Sequence, residues 1–176
     1  MAVEEAGIEQ TEEGGVAESA GWFILNLAES RWMRSEEGGE WTAFEAESGF
    51  EQYAIGVHVL QPGQPNGKYH AENVQEDFLV LSGECILVVE EQERRLKAWD
   101  FFHCAPGTNH ILVGAGDAPC AILMVGMRGE GKKLHYPVSE VAAGHGASAP
   151  GTTDTPSEAY RDWSREYTPV RATWPL

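Results

Sequence analysis

Along the middle of the chain, short apolar runs are closed again and again by polar or glycine-rich turns. Residues 21–27 (GWFILNL) form the first such run, bounded by polar residues, and read as a strand. Trp32 and Trp41 flank Ser35-Glu36-Glu37-Gly38-Gly39, which has the composition of a hairpin turn. Residues 53–60 (YAIGVHVL) are β-rich, with Gly56 weakening any helical alternative, and a turn follows over residues 61–67. Further strands are expected over residues 68–72, 77–81, 85–90, 96–102, 110–113 and 121–127. The turn Ser82-Gly83-Glu84 and the polar stretch EEQERR separate three of them. That makes about eight short strands between residues 21 and 128, with no sustained helical period, the pattern of an antiparallel sandwich or barrel.

The flanks differ from this body. Residues 1–20 hold six glutamates and no lysine or arginine, and are expected to be a disordered acidic tail. Residues 129–176 read as a loop and helix extension. One helical turn is expected between Tyr136 and Ala143, then a Gly/Ser/Ala-rich loop over residues 144–153. Thr155-Pro156-Ser157-Glu158 has the form of a helix start, with Thr as N-cap, Pro at the first helical position and Glu closing a capping box. The spacing predicts a helix to about Tyr167. Its Tyr160, Trp163 and Tyr167 make one aromatic stripe, for packing on the barrel or on a partner subunit. Pro169 and Pro175 extend the tail.

Composition narrows the function classes. A net charge of −16 repels nucleic-acid backbones and anionic membranes alike. No apolar run has the length of a membrane span, and the acidic start MAVEEAGIEQ lacks the features of a signal peptide, so a cytoplasmic location is expected. Cys85, Cys104 and Cys120 form no CxxC pair and read as free thiols.

The candidate chemistry lies between His70 and His110. One block runs His70-x-Glu72-x3-Glu76-x6-Gly83; a second runs from Trp99-Asp100 to Pro106-Gly107-Thr108-Asn109-His110. Together, over roughly residues 50–128, they resemble the paired motifs of the cupin superfamily, G-x5-H-x-H-x3-4-E-x6-G and G-x5-P-x-G-x2-H-x3-N. His70, Glu76 and Gly83 match the first; Gly107 and His110 match the second; fifteen residues separate Gly83 from Trp99. Glu72 stands where a second histidine is usual. Trp99, Ala105 and Gly114 replace the usual Gly, Pro and Asn, and no glycine sits six residues before His70. The resemblance implies an all-β fold, the antiparallel double-stranded β-helix or jelly-roll barrel, here with an N-terminal strand arm and a short C-terminal helix. It also implies a homodimer, with residues 21–27 a natural cover for a sheet edge. Its activities are dioxygenation, isomerisation or epimerisation, and lyase chemistry on a small organic molecule.

Alternation along a strand puts His70 and Glu72 on one face, and Glu76 joins them if the strand continues. A divalent ion accepts imidazole nitrogen and carboxylate oxygen together; oxygen-rich donors suit manganese or iron(II), and zinc fits as well. In one reading, His70, Glu72, Glu76 and His110 are all ligands. In the other, His70, Glu76 and His110 hold the metal and Glu72 is a catalytic general base or acid beside it. Two rivals are a non-catalytic cupin that binds a small ligand or a metal, and a barrel without metal whose buried His and Glu bond to each other.

Other side chains follow by parity. Phe78 and Val80 should wall the cavity, with Phe102, Leu112, Ile122 and Met124 as further candidates, and His103 could also line it. Tyr69 and Asp77 should face outward. His58 reads as a satisfied core or rim histidine, Cys104 as a small buried thiol, His135 and His145 as solvent-exposed, and Arg94-Arg95 as a hairpin tip.

Overall fold

The computed structural model describes residues 2–18, 21–45, 49–164 and 166–174. In chain order its strands begin with β1 (Ile8–Gln10), β2 (Gly15–Ala17), β3 (Arg31–Ser35), β4 (Gly39–Ala43) and β5 (Tyr53–Leu60). There follow β6 (Ala71–Glu72), β7 (Glu76–Ser82), β8 (Glu84–Val89), β9 (Gln92–Lys97) and β10 (Phe101–Cys104). After β11 (His110–Ala115), β12 (Cys120–Met127) and β13 (Leu134–His135) come the helical turns α1 (Glu140–Ala143) and α2 (Pro156–Ala159), and last β14 (Thr168–Arg171).

Two antiparallel layers face each other. One is a seven-stranded sheet in the order β10-β7-β12-β5-β4-β3-β14. The other is β11-β8-β9, extended by the pair β13-β6 through a bridge between His70 and His110. Alternating residues fill the space between them: Leu60, Phe78, Val80, Leu87, Leu112 and Ile122, with the thiols of Cys85, Cys104 and Cys120. Burial of each such aliphatic side chain contributes about 1.5–3 kcal/mol. The opposite parity is also covered. Val57 and Val59 pack outward on Trp32, while Tyr69, Val88 and Ile111 lie under Ala142 and Ala147 of the C-terminal extension. Both faces of the sheets are therefore apolar, which explains why the runs around Val57 and Leu112 show little alternation.

The expected strands over residues 53–60, 77–81, 85–90, 110–113 and 121–127 are present, as are the hairpin between Trp32 and Trp41 and the helical turn before Gly144. Several expectations need correction. Residues 8–17 form a β-hairpin, Ile8 opposite Ala17, where a disordered acidic tail was expected; Ala17 within it and Ala6 just before it are buried. Residues 21–27 are not a strand: Leu27–Glu29 is a 3-10 turn, and the edge beside β3 is covered by β14 instead. The polar stretch EEQERR is not one turn. It reverses at Glu90-Glu91, both with positive φ (46° and 58°), and enters β9, so Arg94 and Arg95 lie in a strand. Such a two-residue hairpin ordinarily asks for Asn-Gly; here Glu91 N donates to Tyr69 Oη, and Glu90 Oε1 accepts from Asn109 N.

The helix from Thr155 ends at Ala159 rather than near Tyr167, and Thr155 makes no side-chain cap bond. Its aromatic stripe still packs on the barrel, Tyr160 edge-on to Trp163 and Tyr167 edge-on to Trp41. Pro169 lies in β14; Pro175 falls outside the described residues. No helix among the described residues is long and apolar enough to cross a membrane.

Candidate metal centre

His70 and His110 are cross-strand partners. Each donates its backbone N–H to the other's carbonyl, and their rings stand 5.0 Å apart. Glu76 reaches them from the opposite sheet. The strand bearing His70 and Glu72 does not continue to it, as parity required; the chain bends at residues 73–75 and Glu76 opens β7, opposite Cys104 and Gly126. One ligating atom from each of His70, Glu76 and His110 lies within 4.8 Å of the other two.

The hydrogen bonds behind the rings decide which atoms face inward. His70 Nδ1 is 2.8 Å from the carbonyl oxygen of Lys68, and His110 Nδ1 is 3.1 Å from that of Thr108. A carbonyl only accepts, so both Nδ1 atoms carry the proton and both Nε2 lone pairs are free. His110 Nε2 lies 3.5 Å from Glu76 Oε2, an oxygen that is buried and has no hydrogen-bond partner among the described residues. Two lone pairs and a buried carboxylate facing one another repel unless a cation or proton sits among them. Without a cation, burial first and the charge of Glu72 second push the Glu76 carboxyl up to about 7. Burial pushes both imidazoles down to about 4, so they are neutral at pH 7 and ready to donate. These donors fit a divalent metal ion.

Glu72 stands just outside this cluster. It is buried, its Oε1 is 3.9 Å from His70 Nε2, and its Oε2 meets the Lys132 ammonium at 2.6 Å. A cavity of about 300 Å³ opens over the cluster, lined in part by Trp41, His58, Asn66, Phe78, Met124 and Lys132. Glu72 instead lines a neighbouring groove of about 610 Å³, which shares Lys132 with this cavity.

Residues 56–126 match the family model described as Cupin domain. These residues are a cupin domain. A sugar phosphate isomerase from a cupin superfamily, of Silicibacter pomeroyi DSS-3, is similar in structure, with 25% identity and a TM-score of 0.52 over 57% of this chain and 66% of that one. Another structure, from Acidithiobacillus ferrooxidans ATCC 23270 and provisionally named a sugar phosphate isomerase, has 21% identity and a TM-score of 0.50 over 55% and 65%. The cupin thus spans just under two thirds of the length of either. No curated protein gives a significant sequence match.

The cupin's departures from the motifs have local causes. Trp99 stands at the motif's glycine position with φ +75°, a conformation that favours glycine, and its side chain lies in solvent. At Gly114, where Asn is usual, a Cβ would collide with the carbonyl oxygen of Gln61. Phe78, Val80, Phe102, Leu112, Ile122 and Met124 do form the barrel interior. Asp77 faces outward; Tyr69 does too, but beneath the C-terminal extension. His103 does not line the cavity: it pairs with Asp77 at 2.7 Å on the outside. His58 is not satisfied, since its Nδ1 is buried without a partner. His135 and His145 pair at the surface with Asp154 and Glu93.

Four contributors escaped the sequence reading. Lys132 comes from a loop with no motif. Tyr136 stacks on His70 at 5.5 Å, and Lys68 supplies the carbonyl that orients it. Cys104, read only as a buried thiol, has its Sγ 3.3 Å from His110 Nδ1. None of the four occupies a specified position of either motif.

Proposed function

We propose that this cupin is a divalent-metal-dependent enzyme that moves a proton on a small organic molecule, in isomerase, epimerase or lyase chemistry. His70, Glu76 and His110 would hold the ion, and Glu72 would act as the general base or acid. The observation that carries this reading is the pair of imidazoles tied back through Nδ1, with Nε2 lone pairs converging on a buried, unpartnered carboxylate oxygen. A bound divalent ion would polarise a substrate carbonyl and make the neighbouring C–H more acidic.

The chain's own groups do the rest. Glu72 has a cation of its own in Lys132, which supports a role off the metal. Its carboxylate lies close enough to His70 Nε2 to take a proton from a substrate atom held beside that ligand and return it to a neighbouring one. Lys132 holds this carboxylate in place and fills the cavity wall. Phe78 and Met124 exclude water from the inner end. The likeness to the Silicibacter pomeroyi sugar phosphate isomerase supports isomerisation over dioxygenation.

The test is metal content by elemental mass spectrometry, beside deuterium uptake from D2O into candidate hydroxy-carbonyl compounds. Wild type and Glu72→Gln should each carry near one divalent ion per chain, and Glu76→Ala and His110→Ala almost none. Only the wild type should exchange deuterium. Loss of metal in Glu72→Gln would make Glu72 a fourth ligand and end its acid–base role. A wild type that takes up no metal after loading would sink the enzyme reading.

A further inference from the structure

The cavity over the metal cluster shares part of its wall with another cavity. Trp41, His58 and Asn66 also line a second cavity of about 250 Å³, whose far side is made by Tyr160, Trp163 and Tyr167 of the C-terminal extension. The two cavities share these residues as a common wall. Trp41 and His58 are register partners on β4 and β5, and their rings stack at 5.9 Å.

The polar atoms at the junction are incomplete. Asn66 Oδ1 accepts from Leu112 N at 3.0 Å, which fixes the amide and leaves Nδ2 as a donor. The partner of Nδ2 among the described residues is Met124 Sδ at 3.6 Å, a weak acceptor. His58 Nδ1 is buried with no partner. Burial holds the His58 pKa down to about 4, so its ring is neutral at pH 7 and has one nitrogen able to accept. An oxygen between these two side chains must accept from an amide N–H while donating to, or accepting from, an imidazole nitrogen. A hydroxyl group serves either tautomer of His58; a carboxylate or phosphate oxygen, which only accepts, serves only the tautomer with its proton on Nδ1.

Charge points the same way. The cations that line the metal cavity are Arg128 and Lys132, and both are already paired at 2.6 Å, with Glu45 and Glu72. No unpaired cation among the described lining residues is left for a phosphate, and the chain carries a net charge of −16.

We propose that the junction of the two cavities is a hydroxyl-binding subsite, and that the substrate is an uncharged polyhydroxylated small molecule. One of its hydroxyls lies between His58 and Asn66, and its carbon skeleton rests against the aromatic wall of Trp41, Trp163 and Tyr167. The assignment rests on the metal-site reading for the substrate's other end and separates this cupin from enzymes of sugar phosphates.

The test is calorimetric titration of the full-length, metal-loaded protein with aldopentoses, aldohexoses and their ketose isomers, beside the phosphate ester of each. At least one free sugar should bind, with its phosphate ester about tenfold weaker or worse. His58→Phe keeps the stack on Trp41 and Asn66→Asp keeps the acceptor for Leu112 N. Each should weaken that sugar roughly three- to tenfold, the worth of one hydrogen bond, with metal content unchanged. Failure of every free sugar to bind, a phosphate ester that binds as tightly as its parent, or variants that bind like wild type would each overturn the proposal. Metal content measured on the same samples keeps the two readings apart. A metal-free protein that still binds sugar through His58 and Asn66 sustains the subsite and sinks the enzyme reading, whereas full metal with no sugar bound does the reverse.

Discussion

The two imidazoles of the candidate metal centre are held in different ways. His110 belongs to β11, a strand buried along its whole length, and its Nδ1 bonds to Thr108, two residues back in the same turn. Phe78, Phe102 and Cys104 close around it from the barrel core. His70 precedes the two-residue strand β6, and its Nδ1 bonds to Lys68. Lys68 is itself gripped by the C-terminal extension: its N–H donates to Tyr160 Oη at 3.0 Å, and its buried ammonium reaches Ser148 O at 3.1 Å and Asp162 Oδ2 at 2.9 Å. Tyr136 of the same extension stacks on the ring. One imidazole is thus positioned by its own motif and the barrel core, the other through Lys68 by groups 80 to 94 residues further along the chain. The extension completes the site, although none of the candidate ligands His70, Glu76 and His110 belongs to it.

Lys68→Met should separate the two halves most strongly. It leaves Asp162 and two carbonyls without their partner, loosens the segment that orients His70, and should lower metal affinity by about 10- to 100-fold, as loss of an orienting partner does. In a competition titration followed by imidazole nitrogen NMR, the His70 signals should broaden or shift while those of His110 stay in place. Equal disturbance of both rings would break the comparison.

A smaller effect is expected from pH. Metal binding must displace the proton that Glu76 keeps up to about 7, while both imidazoles stay neutral down to about 4. Affinity should therefore fall roughly tenfold per unit as pH drops below 7, one proton released per ion, until the imidazoles begin to protonate as well. Calorimetry in buffers of different ionisation enthalpy counts that proton. A flat profile between pH 5 and 7 would mean that Glu76 is not a ligand.

The smallest expected change tests how local the His110 side is. Trp99→Gly relieves a positive φ in an exposed residue and should stabilise the fold by about 1 kcal/mol in thermal or denaturant unfolding. Metal affinity should not change. A change would show that this turn, like the His70 segment, transmits to the site.

The barrel was legible because strand runs and motif spacing are local. Residues 53–60 form β5 as expected, and the ligand set of the second motif came down to His110. Glu76 does lie beside His70 and His110, but not through the strand continuation that parity assumed; what brings it in is the packing of one sheet on the other. The turn at Glu90-Glu91 was illegible because neither residue is a turn former, and contacts from Tyr69 and Asn109 hold it. The helix after Thr155 was overextended for a related reason. The sequence has the propensity to continue, but Tyr160, Asp162 and Ser164 make tertiary bonds to Lys68 and Glu37 that a helix would forgo.

By itself, then, the sequence determined the all-β class, most of the barrel strands and the candidate ligands, because side-chain alternation and motif spacing act over a few residues. Only the tertiary structure decided that Glu72 pairs with Lys132 beside the cluster, that His58 and Asn66 line two neighbouring cavities, and that the C-terminal extension grips Lys68. Those arrangements depend on which distant segments desolvate one another, and a buried charge or unpaired nitrogen has no signature until its surroundings are in place.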